Sequence, residues 1–163
     1  MIGARGLRKT HDLFAGISSA RDALALASVG VRDNGVSAMH DATEGGVFAA
    51  IYEMMTASGV GALVKKSQIP VLPEVRSICK LFSMNPYTSL SEGTLIISVR
   101  PHRVDDAISV LAKIGVTCVA VGEVTRRKMG IMLLTEDGEE HLRYPRKDPY
   151  WDVYWRGVRE DWR

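Results

Sequence analysis

Cysteine is scarce in this chain, and its two copies stand far apart, at Cys79 and Cys118. Both lie in apolar surroundings, and neither has a second cysteine or a histidine at metal-ligand spacing. That excludes a disulfide framework and a zinc ribbon, and leads us to expect two reduced core thiols in a cytoplasmic protein. Excess charge is missing too: the formal net charge is +2, too small to argue for nucleic acid. Short basic runs at Arg5, Arg8 and Lys9, and at Arg126, Arg127 and Lys128, read as solvated loops. No stretch approaches the roughly 20 apolar residues of a membrane span. The start, Met1-Ile2-Gly3-Ala4-Arg5, lacks the apolar core of a signal peptide. A Walker A lysine pattern, a G-x-S-x-G elbow, a nucleophilic triad, internal repeats and low-complexity segments are all absent.

What is present suits one soluble domain with a sizeable core: 46% hydrophobic and 25% charged residues over 163 positions. Residues 1–17 carry mixed charge and no sustained period, and read as a linker or N-terminal arm. Ser19 and Asp22 frame a short alanine-rich helix that Gly30 ends. Val36–Met39 reads as a strand feeding a helix over 45–58, whose two adjoining faces are apolar and whose one charge is Glu53, so it should be buried on several sides. Gly61–Lys65 follows as a strand. Pro73 opens a helix over 73–83 with Val75, Ile78, Cys79 and Phe82 on one face. Thr94–Val99 is an interior-type strand, and a helix over 103–114 leads into a buried-type strand at Val116–Val121. Asp137-Gly138 marks a hairpin between Met129–Thr135 and Glu139–Tyr144. Strand and helix alternate three times before strands alone remain. The expected class is α+β: a layered sandwich with a mixed sheet over 18–146. Beyond it, Asp148-Pro149 should start a C-terminal helix over 147–163, with Trp151, Trp155, Val158 and Trp162 on one face.

Two segments carry chemistry. Asp41-Ala42-Thr43-Glu44-Gly45-Gly46 lies at a strand-to-helix turn, where unpaired N–H groups and the helix dipole favour an anion. Gly45 and Gly46 would let a phosphate approach the backbone, Thr43 would cap or bond a ligand oxygen, and Asp41 would orient a donor or hold a cation. A competing reading takes Asp41 and Glu44 as an acidic capping box and the glycines as packing devices. Ser89-Leu90-Ser91-Glu92-Gly93 precedes a strand, so Glu92 would stand at a sheet end, as general base or metal contact, or as a solvated turn acid. His40 adjoins the first turn, either contacting substrate or serving as a hydrogen-bonded structural residue. No protein-bound metal is expected at these residues.

Taken together, Ala38-Met39-His40-Asp41-Ala42-Thr43-Glu44-Gly45-Gly46-Val47, Ala57-Ser58-Gly59-Val60-Gly61, Ile69-Pro70-Val71, Ser91-Glu92-Gly93-Thr94-Leu95 and Val121-Gly122-Glu123-Val124 resemble the C-terminal domain of the AIR synthase superfamily. The HypE-like and archaeal AIR-synthase-related branches are the most similar, over about residues 18 to 125. The resemblance implies an ATP-dependent enzyme whose N-terminal domain dimerises and holds ATP and magnesium, while the C-terminal domain closes the cleft. Carried over, Asp41, Thr43, Gly45 and Gly46 would line that cleft, with His40 beside them and Glu92 the acid closest to the chemistry. The present chain would be the substrate-side domain, lacking the ATP-binding domain and inactive alone. Implied partners are an ATP-binding domain or subunit, a second copy, and a small-molecule or protein substrate, with no nucleic acid or membrane. A non-catalytic ligand-binding or regulatory module of the same fold is the alternative. HypE proteins end in a tail with a terminal cysteine, whereas this sequence ends Glu160-Asp161-Trp162-Arg163, which argues against hydrogenase maturation in the strict sense.

Overall fold

A helix with almost nothing polar on it organises the molecule. The computed structural model describes residues 4–162; residues 1–3 and 163, at the outer ends of the expected arm and tail, lie outside the described residues. Helix α3, Gly46–Ala57, buries Gly46 through Ile51 together with Met54 and Met55. One side packs on an antiparallel pair formed by β1, Val36–Ala42, and β3, Thr94–Val99. The other packs on a four-stranded sheet: Val47, Phe48, Ile51, Met54 and Met55 share a core with Ala62, Val64, Leu133 and Leu142. This helix is thus sandwiched between two sheets, which is why it is apolar nearly all round.

The four-stranded sheet runs in the order β4 (Gly122–Thr125), β2 (Gly61–Lys65), β5 (Ile131–Thr135), β6 (Gly138–His141). β2 and β5 are parallel, and the outer pairings are antiparallel, so the sheet is mixed. The outer face of the β1–β3 pair carries a second core, where Leu26 and Val29 meet Val36, Ala107 and Leu111. Those residues bring α2 (Ala20–Ala27) and α5 (Val104–Lys113) onto the pair. The layers are therefore α2 and α5, the strand pair, α3, and the mixed sheet, which is the expected layered α+β sandwich. The helix expected over 73–83 is α4, Pro73–Phe82, with Cys79 buried on it. Both cysteines are free, and burial raises the pKa of each thiol.

Four local expectations are corrected. The 1–17 segment contains a helix, α1, Ala4–Asp12, held against α4 by an ion pair between Lys9 and Glu74 at 3.4 Å. Its sequence has no apolar stripe, so no period announced it. Val116–Val121 forms no strand; Val116 and Cys118 turn into the second core from irregular backbone. The strand begins at Gly122, because a Cβ there would stand 2.2 Å from the Leu63 carbonyl oxygen, and only glycine lets the two backbones approach. The hairpin turn lies one residue earlier than expected: Thr135 pairs with Gly138, and of the two residues Asp137 and Gly138 only Gly138 has a positive φ.

The fourth correction concerns the tail. Helix α6, Pro149–Arg159, begins as the sequence indicates, with Asp148 as its N-cap accepting from the Tyr150 N–H. It ends before Trp162. Asp161 turns at φ 51, and the Trp162 N–H returns to the Gly157 carbonyl at 3.0 Å, a Schellman-type closure. Trp162 then lies against Gly157 and stacks on Phe82 of α4 at 5.7 Å between ring centroids. The expected four-residue stripe therefore loses its last member.

Asp148 ties this helix to the rest of the fold. The residue is only 7% exposed. One oxygen accepts from Tyr150 N–H at 2.8 Å and the other from Gly45 N–H at 2.8 Å. One side chain thus satisfies orphan donors at the starts of both α6 and α3.

Two stability measurements follow from this packing. Gly46 and Gly59 share a φ of +66, but a Cβ at Gly46 would stand 2.6 Å from the Ser89 carbonyl oxygen, while none of the described atoms lies within 4 Å at Gly59. In chemical denaturation, Gly59→Ala should cost about 1 kcal/mol, the left-handed penalty alone. Gly46→Ala should cost at least about 3 kcal/mol; equal losses would show that the close approach is unimportant. Asp148→Ala, which strands two donors, should cost about 2–4 kcal/mol, and a loss below about 0.5 kcal/mol would contradict the double-cap role.

Candidate functional site

The antiparallel register of β1 and β3 brings the two expected segments to one end of the strand pair. Ala42 stands opposite Thr94, and Asp41 opposite Leu95. Just beyond the pairing, the Ser91 N–H donates to the Thr43 carbonyl at 3.1 Å, and the Ser91 hydroxyl lies 3.1 Å from that of Thr94. Asp41, Thr43, Glu44 and Glu92 are all exposed along this end, above a buried floor formed by Ala42, Gly45, Gly46 and Ser89. The floor is rigid. The Ser89 hydroxyl donates to the Asn85 carbonyl at 2.7 Å, the Phe48 N–H donates to the Tyr87 carbonyl at 3.0 Å, and the Phe48 and Tyr87 rings stack at 5.2 Å.

The two glycines act mainly through backbone geometry. Gly45 and Gly46 both have positive φ, 75 and 66, a consecutive left-handed pair that other residues rarely adopt. Gly46 lies against the carbonyls of Tyr87 and Ser89, so a side chain would collide with backbone. The Gly45 N–H, expected to face an anionic ligand, donates to the chain's own Asp148 carboxylate. The helix start therefore holds an internal anion where a phosphate was expected. The capping box is not formed either: the α3 N-cap is Gly45 with no side-chain capping bond, and Glu44 instead accepts from the Trp151 indole N–H at 3.0 Å. Of the two readings of the glycines, close packing is the one the geometry favours.

His40 and Asp41 are sequence neighbours but face opposite sides of β1, because successive strand side chains alternate. Ala38, two residues before His40, packs with the α3 core, whereas Met39 packs with the α2–α5 core. On the α3 side, His40 Nε2 lies 2.7 Å from Glu53 Oε2, and the Tyr144 hydroxyl donates to Glu53 Oε1 at 2.9 Å. That hydrogen bond to the Glu53 carboxylate raises the Tyr144 phenol above its ordinary pKa. His40 thus belongs to a His–Glu–Tyr cluster and not with Asp41, Thr43 and Glu92. Neither Glu53 nor Tyr144 is marked by a motif in the sequence. The only available signal was a lone carboxylate on an otherwise apolar helix.

Among the described residues, no three His, Cys, Asp or Glu side chains are grouped to hold a metal ion, and no helix is long and apolar enough to cross a membrane. The exposed polar groups at the strand-pair end are three carboxylates, Asp41, Glu44 and Glu92, and one hydroxyl, Thr43; Glu44 is engaged by the Trp151 indole. Chemically such a rim can accept protons and hydrogen bonds.

Comparison with known proteins bears on the family and the fold. Residues 11–134 match the family model for AIR synthase related protein, C-terminal domain. Carbamoyl dehydratase HypE of Escherichia coli K12 is 34% identical over 96 residues, which is 58% of this chain and 29% of that protein. The crystal structure of E. coli HypE, a hydrogenase maturation protein, superposes with a TM-score of 0.69 at 30% identity, covering 80% of this chain and 41% of that one. A HypE solved in complex with ATP shares the fold, with a TM-score of 0.66 at 21% identity over 77% of this chain and 41% of that one. The chain thus spans less than half the length of these relatives. By its match over 11–134, it belongs to the family of AIR synthase related C-terminal domains.

Proposed function

We propose that this chain is the substrate-side part of an ATP-dependent, HypE-like enzyme and works with an ATP-binding domain or subunit. The observation that carries this reading is the junction of the Thr43 turn with the Ser91–Gly93 loop, joined by the Ser91-to-Thr43 hydrogen bond at 3.1 Å. It sets Asp41, Thr43 and Glu92 on one exposed rim over a buried, glycine-built floor. In this reading Glu92 acts as general base toward an acid- or amide-like group of a small-molecule or protein substrate, and Asp41 and Thr43 orient that group. The enzyme would work in the cytoplasm, where Cys79 and Cys118 remain the free thiols they are here.

ATP and magnesium belong to the partner domain in this scheme. The residues of this chain do not fit a phosphate cradle, since Asp148 already takes the Gly45 N–H, and a carboxylate there repels a phosphate. The support for ATP use is the ATP complex of one HypE relative. His40, held by Glu53 on the α3 side, takes no part in the rim chemistry.

A chimaera tests the assignment. The N-terminal part of E. coli HypE, joined to this chain in place of its own C-terminal part, should hydrolyse ATP, while the isolated chain should not. Within the chimaera, Glu92→Gln should lower turnover by about 10²-fold or more and leave nucleotide binding unchanged. A non-catalytic module would instead give a chimaera that binds nucleotide without turnover. Hydrolysis by the isolated chain that is lost in Glu92→Gln would show a complete site here and defeat the substrate-side reading.

A further inference from the structure

The most conspicuous unexplained surface is on α6. Trp151, Tyr154, Trp155 and Val158 recur at i, i+3, i+4 and i+7, and they are 37%, 44%, 53% and 56% exposed. None of the residues of this helix is buried. Exposure of this kind is costly, since each large aromatic ring buries on the order of 150–250 Å² when packed, and contiguous apolar patches of this type mark interaction sites. The helix itself is held firmly. Asp148 ties its start to Gly45, the Trp151 indole N–H is held by Glu44, and Trp162 closes its end against Phe82. It lies beyond the family match at 11–134.

We propose that α6 is a self-association face, through which two copies of this chain pair by laying their α6 helices antiparallel across a two-fold axis. The charges beside the stripe point to a second copy as the occupant. Asp152 and Arg159 are seven residues apart, so they lie on one side of the helix, about 10 Å apart along its axis. Antiparallel pairing about the stretch between Trp155 and Arg156 sets Asp152 of each copy opposite Arg159 of the other, giving two symmetry-related ion pairs. Parallel pairing would set like charges together. Such self-complementarity is what an isologous contact requires, and it parallels the way charges flanking an apolar seam choose orientation in paired helices. Asp152 now pairs with Lys147 at 2.6 Å, with both side chains about two-thirds exposed. An exposed pair of this kind is worth little, so Asp152 can exchange it for a buried-edge partner.

Sedimentation of the full chain between about 1 and 100 µM should show a monomer–dimer equilibrium. Trp155→Ala should raise the dissociation constant by about tenfold or more, with an unchanged melting temperature at concentrations where the chain is monomeric. Asp152→Arg and Arg159→Asp, two surface changes that spare the core, should each weaken the dimer. Mixing those two single variants should restore association, because one copy then presents two positive charges and the other two negative ones at the same two positions. A wild-type chain that stays monomeric throughout this range overturns the proposal. So does a dimer indifferent to Trp155→Ala and to both charge changes, or a pair of single variants that do not recover on mixing. Association through α6 only when an ATP-binding domain is added would assign the face to that partner and likewise defeat self-pairing.

Discussion

The Asp148 carboxylate is the contact on which the arrangement around the site depends. It is buried, and it accepts one N–H from each of two helix starts, Tyr150 on α6 and Gly45 before α3. A buried carboxylate is costly to leave without partners, and so are orphan helix N–H groups, so each solves the other's problem. The consequence is geometric. A helix outside the family match is pinned to the turn that forms the floor of the candidate site, and the Gly45 N–H of that turn is taken by the chain's own carboxylate. Glu44 adds a second tie to the same helix through the Trp151 indole.

The second organising constraint is α3, which has a sheet on either side. With both sides packed, its N-terminal turn cannot move to make room for the neighbouring loop. The loop at Tyr87–Ser89 approaches until its carbonyls touch Gly46. The glycine pair therefore answers both to backbone conformation and to lack of space. The polar rim of Asp41, Thr43 and Glu92 rests on this floor, with Asp41 in β1 and with Thr43 and Glu92 on the turn and loop that the Ser91-to-Thr43 hydrogen bond joins. This is a suitable platform for groups that must hold a substrate in place.

The candidate site was partly legible. Thr43 and Glu92 carry the motif signals, and the pairing of Ala42 with Thr94 brings their segments together. His40 misled because sequence adjacency to Asp41 says nothing about the face of a strand, and the alternation of β1 sends it to Glu53. Asp148 was legible as the N-cap of α6. Its second bond to Gly45 was not, since the two residues lie 103 positions apart in sequence. Tyr144 and Glu53 stayed hidden for the same reason.

Local periodicity and chain-breaking residues were enough to determine which segments are helix or strand where the pattern is strong: α3, α4 and α5, the strands β1, β2 and β3, and the start of α6. Turn chemistry placed the hairpin within one residue. Tertiary structure alone decided the rest. It moved the strand at Val116–Val121 to Gly122–Thr125, because edge pairing with β2 sets Gly122 opposite Val64, where a side chain would meet the Leu63 carbonyl. It made a helix of residues 4–12 by docking them on α4, and it gave the Gly45 N–H an internal carboxylate as partner. Secondary structure follows from residues near one another in the chain, whereas the partner of a buried donor is chosen by packing among elements far apart in sequence.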